Sequence, residues 1–189
     1  MTVPRRRDAA ATRQAILDSA VTAFTRHGYD GVGVREIAKA AGVTAMLVNR
    51  YFGSKEQLFA EVVDTAFAPP TVIAAETGSL AADLARRLVT RTDPEADTLD
   101  PFLLLLRSAA NPRAAEIMRA GIQAHPGRRL TELLEGTDAD QRADLAHALI
   151  AGFWLMRSMI RTTALAEGDR DRLTARLTAA FAALLSPGG

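Results

Sequence analysis

Within GVTAMLVNRYFGSKEQLF, residues 42–59, and just ahead of it at Arg35, stand side chains suited to holding a polyanion and to reading the edges of bases. An arginine fork fits guanine and an asparagine amide fits adenine, each through two hydrogen bonds worth about 1–3 kcal/mol of discrimination. By residue type, Arg35 can meet a base edge, a phosphate or only solvent, and Asn49 can read a base or serve a local polar role. Met46 can touch a thymine methyl or pack on a neighbour. Tyr51 and Lys55 bring a hydroxyl and a charge beside a new helix start at Ser54, where phosphate contact is expected; the alternative for Tyr51 is half-buried packing beside Phe52. Arg5, Arg6 and Arg7 form either a basic arm that reaches a minor groove or phosphates, or a solvated tail.

Other chemistry finds no comparable cluster. No acid pair, Ser-His-Asp arrangement or metal motif stands out, so no catalytic residue and no cofactor is expected and the protein reads as a non-enzyme. His27, His125 and His147 lack close ligand spacing, and no metal is expected. Gly28, Gly31 and Gly33 follow a helix, whereas a nucleotide-binding glycine fingerprint follows a strand. The chain has no cysteine, which removes disulfides, thiolate zinc sites and cysteine nucleophiles together. No stretch approaches the apolar length of a membrane span and the N-terminus lacks a signal-peptide core, so a cytoplasmic protein is expected.

The elements that must position these residues are helices. Ile16, Ala20 and Phe24 recur at four-residue spacing with Leu17 and Val21 beside them, predicting a helix over 12–27 that Gly28 stops. A short helix over 34–41 ends at Gly42, a third begins at Thr44 as N-cap and lasts about two turns, and Ser54 with Gln57 opens a fourth that Ala68-Pro69-Pro70 ends. Longer helices follow: one over 79–91, two started by Asp100-Pro101 and Asn111-Pro112, a long apolar one from about Asp138 to Ala166, and a last one from Asp169 to Leu185. His125-Pro126-Gly127 is expected to interrupt the second Pro-started helix. With no alternating strand pattern, the fold class is all-α, with about nine helices. The expected domains are a basic flexible arm over 1–11, a three-helix head over 12–53, a connecting helix over 54–67 and a helical body over 68–189.

An α-helix fits the major groove of duplex DNA when it is short, stands proud of its neighbours and is braced by a preceding helix across a tight turn. Residues 34–52 have that layout: Gly42 makes the turn, Val48 and Phe52 face inward, and Ala45, Met46, Asn49 and Arg50 face outward. Charge agrees. Residues 1–55 carry nine Arg or Lys against four acids and the remainder fourteen against eighteen, so a net +5 head precedes a −4 body.

The run from Thr12 to about residue 63 resembles the DNA-binding head of the TetR family of transcriptional regulators. It shares the helix ending in Phe24 and Gly28-Tyr29, the pair Ile37-Ala38, Ala41-Gly42-Val43, Tyr51-Phe52, and Ser54-Lys55-Glu56 with Leu58. The resemblance implies that Arg35 reaches a base edge, that Thr44 contacts a phosphate, that Tyr51 and Lys55 contact the DNA backbone, and that Ala45, Met46 and Asn49 face bases or adjoining backbone. Two positions depart from the common pattern: Met46 stands where a small residue is frequent, and Asn49 replaces the usual tyrosine.

In the body, Leu145, Leu149, Phe153, Met156 and Ile160 line one helix and Leu173, Leu177, Phe181 and Leu184 another, faces that either fill the protomer core or join a twin in a four-helix bundle. Leu84, Leu88, Phe102, Leu103, Leu106, Met118, Ile122 and Trp154 are candidates for an apolar pocket, with Arg107, Gln123 and Arg157 as polar groups that orient a ligand; for each the alternative is core packing or pairing. The resulting expectation is a ligand-responsive homodimeric repressor that binds a palindromic operator and is released by a small, largely apolar effector. Two rivals stand beside it: a helical enzyme or carrier that keeps the head only as packing, and a ligand-independent DNA-binding interaction protein.

Overall fold

The computed structural model describes the backbone of residues 4–67, 79–92 and 101–187 and the side chains from Ala9 onward. The expected terminator Ala68-Pro69-Pro70, the cap Asp100 and the side chains of Arg5, Arg6 and Arg7 lie outside the described residues. Among those described the chain is all-helical: α1 (Pro4–His27), α2 (Val34–Ala40), α3 (Ala45–Phe52), α4 (Lys55–Phe67), α5 (Leu80–Arg91), α6 (Pro101–Ser108), α7 (Pro112–Ile122), α8 (Arg128–Thr131), α9 (Ala139–Trp154), α10 (Thr163–Ala166) and α11 (Arg170–Leu185). No helix among the described residues is long and apolar enough to cross a membrane.

The first helix starts eight residues earlier than expected. Residues 4–11, expected as an arm, are helical in backbone, with Pro4 at the first helical position and three consecutive alanines, the best helix formers, at 9–11. His125-Pro126-Gly127 does not interrupt its helix either: the chain runs from α7 into α8 through one π-turn, Gln123–Gly127. A wider turn accommodates a proline that has no N–H to give, and Gly127 leaves the room, since a Cβ there would come within 2.9 Å of the Ile122 carbonyl oxygen. A second π-turn, Leu155–Met159, closes α9, and Arg161 at φ +57° ends the run before the expected Ala166.

The helices form two compact units. One holds α1–α4 together with α6 and α7 as far as Gly121; the other holds α5 and the helices after Ile122. α6 and α7, which follow the boundary expected at residue 68, thus pack in the same unit as α1–α4. In the first unit Ile16, Ala20, Phe24, Ile37, Val48, Leu58, Phe59 and Val62 are buried, each large apolar side chain contributing about 1.5–3 kcal/mol. Phe24, Tyr29 and Phe59 stack in this core, with Phe24 and Phe59 edge to face at 5.1 Å. Gly121 lets α7 approach α4, because a Cβ would meet a Val63 methyl at 2.4 Å. In the second unit α5 and α11 pack together and α9 packs on α11. Arg142, itself buried, holds α9 to the end of α11 by donating to the Leu185 carbonyl at 2.6 Å, and it also bonds Asp138 and the Glu135 carbonyl.

Candidate nucleic-acid interface

Two caps, Ala41 and Thr44, with only Gly42 and Val43 between them, make the turn between α2 and α3. Gly42 adopts φ +68°, the Val43 N–H donates to the Ala38 carbonyl at 2.9 Å and the Gly42 N–H to that of Lys39 at 3.2 Å, the paired bonds that close a helix C-terminus. Thr44 then caps α3, its hydroxyl accepting from the Leu47 N–H at 3.4 Å. At the start of α2, the Glu36 carboxylate accepts from the Gly33 N–H at 2.7 Å. The two helices are thus joined with no slack, and α3 is oriented by its own buried side, Val48 and Phe52. Across from them the Arg13 guanidinium lies 4.6 Å from the Phe52 ring centre and bonds Glu61 on α4 at 2.6 Å, tying α1 and α4 around the inner end of α3.

The opposite side of α3 is open. Met46 is 80% exposed, and Asn49, Arg50 and Thr44 are exposed with it, while Ala45 and Tyr51 are half-buried. Arg35 is exposed on α2. Met46, Asn49 and Arg50 share one helical face by their three- and four-residue spacing.

The far end of α3 is set by Gly53, at φ +78°, whose N–H donates to the Asn49 carbonyl at 2.8 Å. Ser54 then caps α4, its hydroxyl accepting from the Gln57 N–H at 3.2 Å. Lys55 is not extended freely into solvent: its ammonium sits 4.4 Å from the centre of the Tyr29 ring. The Tyr29 hydroxyl donates to Glu56 at 3.1 Å, and burial first, then this carboxylate, pushes the phenol up to about 12. Glu56 is held below the usual carboxylate range, chiefly by the Ser54 hydroxyl. Lys55 is therefore a positioned charge. Neither the Tyr29–Lys55–Glu56 group nor the Arg13–Glu61 bridge was visible in the sequence, because their members are far apart along the chain and follow no helical period.

The end of α1 is fastened by α6 and the residues after it. Arg107 donates to the Thr25 and Arg26 carbonyls at 2.9 and 2.6 Å, the Tyr29 N–H donates to the Ser108 hydroxyl at 3.0 Å, and the Asn111 amide donates to Asp30 at 2.9 Å. Arg107, expected to orient a ligand, is thus a C-terminal cap. Of the other expected pocket residues in this unit, Met118 is buried, Phe102 and Leu103 are half-buried and Leu106 is exposed. An open cleft between α1 and α2, lined by Asp18, Thr22, Arg26 and Glu36 among others, involves none of them.

In the second unit Leu84, Leu88 and Trp154 are buried, Ile122 is half-buried and Gln123 is exposed. Arg157, only 2% exposed, donates to the Val89 carbonyl at 3.0 Å and the Thr92 hydroxyl at 3.4 Å, capping α5. Of the expected assembly residues, Phe153, Leu177 and Phe181 are buried in the protomer core, the alternative stated for these faces. Leu149, Leu173 and Leu184 are half-buried; Leu145, Met156 and Ile160 are exposed, Ile160 by 61%, with Met159 beside them.

Two family models match the chain: one described as bacterial regulatory proteins, tetR family, over residues 16–62, and one described as tetracyclin repressor-like, C-terminal domain, over residues 79–185. The chain is similar to the HTH-type transcriptional regulator BetI of Agrobacterium fabrum, 43% identical over 51 residues, which are 27% of this chain and 25% of that protein. It thus spans about a quarter of that relative's length. A longer match, to BetI of Rhizobium meliloti, is 28% identical over 158 residues and covers 78% of each chain. Among solved structures, the SmeT–triclosan complex superposes with a TM-score of 0.65 at 22% identity, covering 95% of this chain and 96% of that one. The multidrug binding protein EbrR, complexed with ethidium, gives 0.65 at 19% identity, with 93% and 99% covered. At such identities the likeness is one of fold.

Proposed function

The chain belongs to the TetR family of bacterial transcriptional regulators, and on that footing we propose that it is a homodimeric repressor whose two heads hold a palindromic operator and release it when a small, largely apolar effector binds. The observation that carries this reading is the outward face of α3, where Met46, Asn49 and Arg50 stand exposed over a buried brace of Val48 and Phe52. A short helix so braced, with Arg35 beside it, has the form of a major-groove reader. In this reading Arg35, Ala45, Met46, Asn49 and Arg50 address base edges or adjoining backbone, while Thr44, Tyr51 and Lys55 bind phosphates.

Dimerisation is supported by the apolar side chains left exposed at the end of α9 and the turn after it, Met156, Met159 and Ile160 with Leu145. That a fold of this kind holds the small aromatic molecules triclosan in SmeT and ethidium in EbrR supports a small, largely apolar effector. Release requires the effector to prefer one dimer arrangement over the other, typically by about 1–3 kcal/mol.

Selection of binding sites from random duplex DNA by the purified protein, at near-physiological salt, tests the operator. An inverted repeat with half-sites about 34 Å apart is expected. Binding that fades with salt and enriches no sequence would contradict it. For the switch, calorimetric titration of an effector should show weaker binding to the operator-bound dimer than to the free one; equal affinity would exclude the mechanism.

A further inference from the structure

Met46 is the most exposed of the large apolar side chains in the described structure, and it lies in the first turn of α3, two residues after the Thr44 cap. Packing on a neighbour would leave it far less than 80% exposed. A thioether has no strong donor or acceptor, so it cannot read the hydrogen-bonding edge of a base. In the major groove the apolar feature a base pair presents is the 5-methyl group of thymine. Arg50 is exposed one turn further along α3, and α2 carries exposed Arg35 and Lys39, cations that suit the groove of a polyanion. Asn49 stands three residues on along the same face, about 4.5 Å further along the helix axis, close to the 3.4 Å step between base pairs.

From this arrangement, and resting on the operator-binding reading above, we infer that Met46 determines specificity by reading a thymine methyl in each half-site, on a base pair next to the one that Asn49 addresses. The side chain is unbranched and turns about three bonds, so it can settle against the methyl without moving the backbone. Its contact is apolar and independent of the phosphate contacts, and therefore separable from them.

The test uses the full-length protein and the duplex enriched by site selection, resynthesised with deoxyuridine in place of thymidine at one symmetric pair of positions at a time. Uracil keeps every hydrogen bond of thymine and lacks only the methyl. At one position in each half-site, removal of the methyl should weaken the wild-type protein about fourfold, or about sixteenfold when both half-sites are changed. M46A and M46Q should bind thymine and uracil duplexes equally at that position and keep the wild-type salt slope, which shows that the head is folded and its phosphate contacts are intact. Tolerance of uracil at every position by the wild type, or full methyl discrimination retained by M46A and M46Q, would overturn the inference while leaving operator binding standing. If no duplex is enriched at all, the operator reading itself fails and takes this inference with it.

Discussion

Residue identity and helical phase were enough to place the outward face of α3. Met46 and Arg50 fall on the side opposite Val48 and Phe52 in any α-helix through this sequence, with Asn49 at the flank of that side, and all three are exposed in the structure. What the phase does not tell is how a cation is held. Lys55 rests over the Tyr29 ring, 26 positions away in the chain, whereas Arg35 is exposed on α2. These settings lead to different expected behaviour. R35A should weaken binding and relax one base position in the selected motif. K55A should weaken all sequences alike and lower the slope of log affinity against log salt by about one phosphate's worth. Site selection and salt titration of both variants check this division of labour; identical motifs and slopes would contradict it.

At the scale of elements, glycines that read alike in the sequence prove to have different work. Gly28 and Gly42 each follow a helix, and both adopt positive φ. A side chain at Gly42 would meet nothing within 4 Å, while one at Gly28 would run into the Arg107 backbone oxygen at 2.3 Å. G42A should therefore cost about 1–2 kcal/mol, the left-handed penalty alone. G28A carries that penalty plus the separation of α6 from α1, and should cost about 3 kcal/mol or more. Urea unfolding of both variants tests this, and equal losses would mean that the close approach contributes nothing. The arginines show the same limit of local reading. Arg107 and Arg157 look like ligand-orienting groups until the carbonyls they cap, on α1 and α5, are brought beside them by the fold. Pro126 misled in the other direction, since a proline reads as a break and a single π-turn absorbs it.

For the whole molecule the open question is which apolar faces remain for a partner. Phe153, Leu177 and Phe181 are buried within the protomer, so the assembly surface proposed above is expected to draw on the exposed Leu145, Met156, Met159 and Ile160. The double variant M156E/I160E should be monomeric by sedimentation at concentrations where the wild type is dimeric, with unchanged helical circular dichroism and greatly weakened binding to a full palindrome but not to an isolated half-site. A dimer that survives these changes would remove this face from the interface. The sequence alone determined the all-helical class, the three-helix head, its caps and the exposed side of α3, because hydrophobic period, capping residues and glycine stops act over a few neighbouring residues. Only the tertiary structure decided that α6 and α7 pack in one unit with α1–α4, that two arginines are caps, and which residues of α9 and α11 are core. Those outcomes depend on which distant segments meet, and a helix with apolar residues on several faces does not carry in its own sequence which of them will be covered.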